Sequence, residues 1–144
     1  MRLGYAVLFA SAVALSTGHA AEQSIVGDWY EDENYGGQRT IAVGHFKEDG
    51  SFSVEFRTCL KQGSLDHTDT GHWTYANGRL RMTTEANNGF WTYEIEDYQT
   101  LSNDGHVWIY KSMAGPAFQQ YGTVTFHDVR VTPDSKAPSC DLTS

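Results

Sequence analysis

Residues 70–110 read TGHWTYANGRLRMTTEANNGFWTYEIEDYQTLSNDGHVWIY, and three turn signals divide this stretch into extended segments of similar length. Asn-Gly at 77–78, Asn-Asn-Gly at 87–89 and Asn-Asp-Gly at 103–105 supply the positive φ angles of tight hairpin turns. Between the turns, side chains alternate with the period of two that is typical of strands. The residues that share a face are Gly71, Trp73 and Tyr75, then Leu80, Met82 and Thr84, then Trp91, Tyr93 and Ile95. This stretch therefore predicts consecutive β-hairpins.

The rest of the chain extends the same pattern to eight predicted strands. Their approximate bounds are residues 25–30, 39–47, 51–60, 67–75, 79–85, 90–101, 106–112 and 123–131. Closing the sheet on itself removes the exposed edges that such a series of hairpins would leave, whereas a sandwich would need longer crossing connections. We therefore predict an all-β fold, an eight-stranded antiparallel up-and-down β-barrel. Its interior is either filled by side chains or large enough for one small ligand.

The first 20 residues have the composition of an export signal. Arg2 provides a basic start, residues 5–15 form a short apolar centre, and Gly-His-Ala at 18–20 leaves small residues at the cleavage site. We predict a signal peptide over 1–20, a barrel domain over 21–132 and a C-terminal tail over 133–144. Cleavage leaves 124 of the 144 residues, which is enough for one hydrophobic core. The expected location is periplasmic or secreted.

The charge balance is strongly acidic. The leader contains one of the ten basic residues and none of the 18 acidic ones, so the mature chain has a formal net charge of −9. Such a charge repels phosphate backbones and disfavours nucleic acid as a partner. No second apolar run approaches the roughly 20 residues that span a bilayer, and no Cys lies at the cleavage site to accept a lipid. We expect a monomer without a stable membrane anchor.

Two cysteines in an exported chain favour one disulfide, between Cys59 and Cys140. Phe52, Val54 and Phe56 mark the apolar face of their strand, so parity places Cys59 on the opposite face. The bond must then come from outside the core, delivered by the segment 133–138, which is rich in Pro, Ser and charged residues. The alternative is a pair of unlinked thiols.

The motif Gly27-Asp28-Trp29-Tyr30 at the start of the first strand resembles the Gly-x-Trp opening of the lipocalins. The chain looks most similar to the short lipocalin-like (calycin-type) β-barrel domains of bacterial exported proteins. The resemblance implies that Trp29 packs across the closed end of the barrel and that Arg130, from the last strand, lies over its ring. A tail tethered to an early strand is also typical of this family.

The family's long C-terminal helix has no counterpart in this chain, because Pro133 and Pro138 interrupt the only segment that could form it. What the family implies is carriage of one small apolar molecule in the barrel. The candidate ligand-binding residues are Trp73, Tyr75, Trp91, Tyr93, Trp108 and Tyr110. Aromatic residues at a period of two are also typical of ordinary core, so their presence is compatible with a pocket without requiring one.

The one chemical cluster in the sequence is His67, Asp69 and His72. Parity places His67 and Asp69 on one face and His72 on the other, so the three could meet at one metal ion only if Gly71 marked a β-bulge, which disfavours a metal site. Ser, His and carboxylate residues are numerous, but no Gly-x-Ser-x-Gly elbow or recognisable pair of glutamates accompanies them. We therefore expect no metal and no cofactor, and the sequence does not indicate a reaction.

Three hypotheses follow from the sequence. The first is an exported barrel that binds a small apolar or aromatic molecule. The second is a periplasmic protein-binding module, such as a protease inhibitor, which would use residues 21–24 or the apolar connection 113–122. The third is an enzyme of unknown reaction on the same barrel. An enclosed empty cavity favours the first hypothesis, a filled interior with an exposed apolar loop favours the second, and ionisable groups clustered inside favour the third.

Overall fold

The structure, a computed structural model, describes residues 23–136 and 138–140. The described residues form eight strands and one short helix. The elements are β1 (Gly27–Tyr35), β2 (Gln38–Phe46), β3 (Ser51–Cys59), β4 (Ser64–Ala76), β5 (Arg79–Asn87), β6 (Phe90–Asn103), β7 (Val107–Ala114), α1 (Pro116–Tyr121) and β8 (Thr125–Arg130). The signal peptide predicted over 1–20 lies outside the described residues.

Each strand pairs antiparallel with the next one in sequence, and β8 returns to pair with β1. The sheet is therefore a closed, up-and-down, eight-stranded barrel, and the predicted fold is confirmed. The register between β7 and β8 covers five residue pairs, whereas that between β1 and β8 covers two, Trp29 with Arg130 and Tyr30 with Val129. The connection predicted as an irregular loop over 113–122 contains α1. No helix among the described residues is long and apolar enough to cross a membrane.

The hydrophobic core fills one end of the barrel, which we call the closed end. It contains Ile25, Trp29, Phe46, Phe52, Val54, Leu80, Tyr98 and Trp108. The rings of Trp29 and Trp108 meet edge to face, with their centroids 5.6 Å apart. The ring of Phe46 meets that of Trp108 in the same manner, at a centroid distance of 5.9 Å. The turns β2–β3, β4–β5 and β6–β7 lie at this end, so the turns β1–β2, β3–β4 and β5–β6 and the helix α1 lie at the other, the open end.

Arg130 seals the closed end over Trp29. Its Cζ lies 4.1 Å from the centre of the Trp29 ring. Its guanidinium donates hydrogen bonds to the carbonyl oxygens of Gly105 (2.6 Å), Val26 (2.9 Å) and Ser24 (3.1 Å). Gly27 has a φ of +127°, and a Cβ there would lie 2.4 Å from Nη1 of Arg130. The contact implied by the lipocalin resemblance is present, and a side chain at position 27 would obstruct it.

The C-terminal tail crosses the outside of the barrel and is fixed at its end. Cys59 and Cys140 form a disulfide, with a Cα–Cα distance of 5.3 Å, which confirms the predicted tether. Arg39 on β2 donates a hydrogen bond to the carbonyl oxygen of Ser139 at 3.0 Å. Ile41, which faces outward, is 4% exposed and lines a shallow outer groove together with Pro138. The tail therefore covers apolar surface that β2 would otherwise expose.

Candidate functional site

The open half of the barrel contains a cavity with two connected chambers. The outer chamber measures about 370 Å³ and lies beneath α1. The inner chamber measures about 110 Å³ and reaches down to the core. The residues that line both chambers are Tyr35, Thr40, Phe56, Asp69, Thr84, Glu96, Tyr98 and Phe126. This shared lining makes the two chambers one continuous site.

The cavity exists because β6 presents polar residues to the interior. The pairs Leu80–Tyr98, Met82–Glu96 and Thr84–Glu94 place the even-numbered residues of β6 inside. Glu94 and Glu96 therefore line the outer chamber where apolar side chains would have filled it.

The same parity corrects two predicted ligand-binding residues. Trp91 is 83% exposed and Tyr93 62% exposed, and both lie on the outside of the barrel. The prediction was wrong because it assigned the apolar face of this strand to the interior, whereas β6 has its aromatic residues outside. The register with β5 also shifts between Thr84 and Ala86, which the sequence pattern does not reveal.

The other four predicted aromatic residues face inward, at two different depths. Trp73, Tyr75 and Trp108 pack in or against the closed-end core and line neither chamber. Trp108 donates a hydrogen bond from Nε1 to Oγ1 of Thr100 at 3.0 Å, so its polar group is satisfied within the protein. Tyr110 lines the inner chamber. The structure thus places one of the six predicted residues at the cavity wall.

Two carboxyl groups form the floor of the inner chamber. Glu31 on β1 is 7% exposed and Asp128 on β8 is 6% exposed, and the two side chains are hydrogen-bonded to each other. The phenol of Tyr110 donates to Asp128 and lies 3.1 Å from each carboxylate oxygen. The phenol of Tyr35 donates to Oε1 of Glu31. Neighbouring phenols therefore orient both members of the pair.

Burial makes this pair a poor place for two negative charges. It raises the pKa of Asp128 to about 7. Burial also raises the pKa of Glu31 well above its ordinary value, and the charge of Asp128 raises it further. Below about pH 7 the Asp128 carboxyl holds its proton. The hydrogen bond between the two side chains raises the pKa of Glu31 and lowers that of Asp128, so it favours ionisation of Asp128 beside a protonated Glu31.

The phenols that surround the pair remain protonated donors. Burial first, and the nearby carboxylates second, raise the pKa values of Tyr98 and Tyr110 well above the ordinary value of a phenol. The phenol of Tyr98 donates to Oε2 of Glu96, and Oε1 of Glu96 accepts a hydrogen bond from the backbone N–H of Ala117 at 3.1 Å. Glu96 thus joins the cavity wall to α1.

Aromatic rings form much of the remaining wall. Phe126 stacks on Tyr110 at a centroid distance of 5.2 Å, and Tyr98 meets both rings edge to face, at 5.7 Å and 5.4 Å respectively. Tyr35 lies 5.9 Å from Phe126 and 6.2 Å from Tyr121 of α1. These rings offer both faces and edges to the open space.

His67 and Asp69 lie together on the inner face of β4 and line the outer chamber, as parity predicted. Asp69 accepts a hydrogen bond from Nδ2 of Asn87 at 2.6 Å, and burial raises the pKa of its carboxyl. His72 faces outward and lies 3.0 Å from Glu85. Within residues 23–136 and 138–140, no group of three or more His, Cys, Asp or Glu side chains has the arrangement of a metal site.

Sequence reasoning missed Glu31 and Asp128, although a signal was present. Strand parity places Glu31 on the same face as Trp29, and Asp128 on the same face as Arg130. Two carboxyls at inward positions of the strands that close the barrel must approach each other. To make that inference, the inward face of β1 has to be assigned from Trp29 and that of β8 from Arg130. The average hydropathy of the faces of each strand does not reveal it.

Comparison with protein-family models, with curated proteins and with solved structures finds no match to this chain. The fold and the site define the class: an eight-stranded antiparallel barrel with one sealed end and an internal cavity. This architecture is compatible with a lipocalin-like fold.

Proposed function

We propose that this protein binds one small molecule with an aromatic or apolar body inside its barrel. The observation that carries the proposal is the continuous cavity beneath α1, lined by ring faces along its walls and by hydrogen-bonding groups at its floor. The carboxyls clustered inside also meet the criterion stated above for an enzyme, but carboxyls and phenols alone define no reaction, so binding is the function that we propose. The outer chamber alone, at about 370 Å³, falls within the range typical of small-molecule sites. A mainly apolar wall with a few convergent polar groups gives both affinity and orientation.

The closed end supports this proposal because it supplies a rigid base. Trp108 separates the core from the cavity, and its ring lies 4.3 Å from that of Tyr110 in the inner chamber. A ligand that reaches Tyr110 therefore changes the surroundings of a buried indole. Trp91, on the outside, is a source of background fluorescence that the variant Trp91→Phe removes.

The test is a titration of the Trp91→Phe protein with N-phenyl-1-naphthylamine, an uncharged aromatic probe that fluoresces in apolar surroundings. We expect saturable binding of about one probe per chain, with affinity near the micromolar range. Ala42 faces the inner chamber and Val43 faces outward on the same strand, which provides a matched pair of variants. Ala42→Phe should weaken binding, and Val43→Phe should leave it unchanged. Equal binding by both variants, with circular dichroism showing both folded, contradicts the proposal.

The outer aromatic patch, formed by Trp91 and Tyr93, favours a second candidate function, recognition of a protein such as a protease. Both side chains are more than half exposed on the outer face of β6. Exposed aromatic residues that lie together are typical of contact surfaces. An inhibition assay against a panel of proteases tests this candidate. Inhibition that Trp91→Ser abolishes and Ala42→Phe preserves would support it, and absence of inhibition would remove it.

We also propose that the chain is exported to the periplasm or secreted. The Cys59–Cys140 disulfide supports this location because such bonds persist in oxidising compartments. N-terminal sequencing of the protein recovered from outside the cytoplasm should begin near Ala21. Recovery of the full-length chain with two free thiols from the cytoplasm contradicts the proposal.

A further inference from the structure

The linings of the two chambers are acidic. Within the described part of the chain they contain five carboxyl groups and no Lys or Arg. These groups belong to Glu31, Asp69, Glu94, Glu96 and Asp128. Arg39, near the barrel rim, is paired with Asp32 at 2.7 Å on the outside. The lining also contains one imidazole, that of His67, beside Asp69. The lining therefore holds five carboxyl groups against one imidazole, and none of its residues is a Lys or Arg.

We propose that the ligand class of this cavity is an aromatic or apolar molecule that carries one ammonium group, and that the ammonium enters the inner chamber beside Glu31 and Asp128. This inference rests on the proposed function, since it requires that the cavity binds a ligand. When Asp128 is protonated, entry of the ammonium releases the proton of Asp128 to the solvent. The carboxylate and the ammonium then neutralise each other, and the hydrogen bond to Asp128 favours the protonated form of Glu31.

The sizes and surfaces of the chambers fit such a molecule. The inner chamber, at about 110 Å³, accommodates an ammonium with one or two carbons, and the outer chamber accommodates the ring. An ammonium has three donors, and the floor offers carboxyl oxygens of Glu31 and Asp128 as acceptors. The face of an aromatic ring attracts a cation, so Tyr110 and Phe126 beside the floor add to the attraction. An anionic ligand would lie close to these carboxyls, and like charges would repel it.

The groups that face the carboxyl pair give the binding a definite pH dependence. From β1 they are Glu33 and Tyr35, from β4 His67 and Asp69, from β6 Glu94, Glu96 and Tyr98, and from β7 Tyr110. The cavity positions of β2 and β5 carry Thr40, Ala42, Met82 and Thr84, which do not titrate. On β8, His127 lies 3.2 Å from Glu33 and is half exposed, away from the floor. Ionisation of Asp128 therefore adds a negative charge to an acidic surrounding, and a bound cation favours it.

The sign of the pH effect follows from linkage. The ammonium binds best when Asp128 is ionised, so affinity should rise by about tenfold per pH unit below about pH 7 and level off above it. An uncharged ligand of the same shape should show the opposite trend or none. This difference separates ammonium recognition from simple apolar binding.

The test uses three matched probes: 2-(1-naphthyl)ethylamine, 2-(1-naphthyl)ethanol and the carboxylate 1-naphthaleneacetate. Isothermal titration calorimetry measures their affinities at pH 7.5, and repeated titrations of the amine at pH 6 in phosphate and in MES give the protons released. We expect the amine to bind at least about tenfold more tightly than the alcohol, the carboxylate to bind most weakly, and release of nearly one proton per amine at pH 6. Equal affinities of amine and alcohol, or no proton release, overturn the inference and leave the proposed function standing. If none of the three probes binds, both fail.

A pair of variants places the ammonium in the cavity. Asp128→Asn should weaken the amine by about tenfold or more at pH 7.5, abolish proton release and leave the alcohol nearly unchanged. Asp97→Asn, on the outer face and paired with Arg81, should change none of these quantities. Loss of alcohol binding in Asp128→Asn would indicate a damaged cavity, and then the proton release of the wild-type protein decides the matter. An amine preference unchanged in a folded Asp128→Asn overturns the inference.

Discussion

Replacement of Asp128 by Asn should reduce the dependence of stability on pH between pH 5 and pH 7. The folded protein holds a proton on Asp128 up to about pH 7, whereas the unfolded chain releases it near the ordinary pKa of an aspartate, 3.8. A carboxyl whose pKa is raised on folding stabilises the protein at low pH. That stabilisation is lost progressively as the pH rises to the folded pKa.

The magnitude follows from the window. Over the two pH units from 5 to 7, Asp128 in the unfolded state is ionised and in the folded state is mostly protonated. A difference of one bound proton costs about 1.4 kcal/mol per pH unit, and Asp128 is half ionised in the folded state at pH 7, so Asp128 alone should lower the free energy of unfolding by about 2 kcal/mol. Glu31, whose pKa is also raised, acts in the same direction. The wild-type protein should lose at least that amount, Asp128→Asn should lose about 2 kcal/mol less, and the double variant with Glu31→Gln should be nearly flat.

Urea unfolding at pH 5 and pH 7, followed by far-UV circular dichroism with the disulfide intact, measures this effect. For a domain of this size, a change of about 2 kcal/mol moves the midpoint by roughly 1 to 2 M urea. Asp97→Asn is the control, because Arg81 lowers the pKa of that exposed carboxyl, which therefore titrates below the window. Equal midpoints of the wild-type protein at the two pH values would refute the reasoning. So would the same shift in the wild-type protein and Asp128→Asn.

Three further predictions concern the framework. Arg130→Ala should destabilise the fold by about 2 to 4 kcal/mol, because it removes the cover of Trp29 and three hydrogen bonds from a cation. Arg130→Met should recover less than half of that loss. A Met variant as stable as the wild type in thermal unfolding would assign the effect to packing of the aliphatic part of the side chain alone. Trp91→Ser should change stability by less than about 0.5 kcal/mol and remove the indole most accessible to acrylamide; a large fall in melting temperature would place Trp91 in the core. Reduction of the Cys59–Cys140 bond opens a loop with a sequence separation of 81. It should lower the free energy of unfolding by about 4 to 5 kcal/mol, which is measured as a lower melting temperature. An unchanged melting temperature would show that the tether contributes nothing to stability.

The fold was predictable because its turns are encoded locally. Asn77 and Asn88 adopt positive φ angles of 52° and 48°, each followed by a Gly that does the same, as the Asn-Gly dipeptides predicted. Short turns at these places leave neighbouring strands no partner but each other. Parity within one strand, as for Cys59 and for His67 and Asp69, was equally reliable, because β3 and β4 pair with each other without a register shift.

The site was less predictable because it departs from the rule that apolar residues face the interior. On β6 the aromatic residues Trp91 and Tyr93 face solvent and the acidic residues Glu94 and Glu96 face the cavity, so hydropathy assigned the wrong face. Register shifts near Thr84 and Thr100 add to the difficulty, since each alters the residues that face one another across the strands. Glu31 and Asp128 lie on the first and the last strand, far apart in the sequence, so no local spacing predicts that their side chains meet.

The carboxyl pair at the cavity floor is costly, and its cost is an argument for use. Replacing a buried charged or polar pair with apolar residues of similar volume often stabilises a protein. The closed end has just such a composition, with Trp29, Trp108 and Leu80 each at most 2% exposed. If stability alone shaped the barrel, the same apolar packing would continue past Tyr110 and fill the inner chamber. Instead the apolar packing gives way to two carboxyls held by phenols, at the point where open space begins. Stability that can offset this cost comes from the sealed end, from the cover that Arg130 provides and from the tethered tail. We therefore propose that the floor of the cavity serves to recognise a ligand and does not serve to fold the chain.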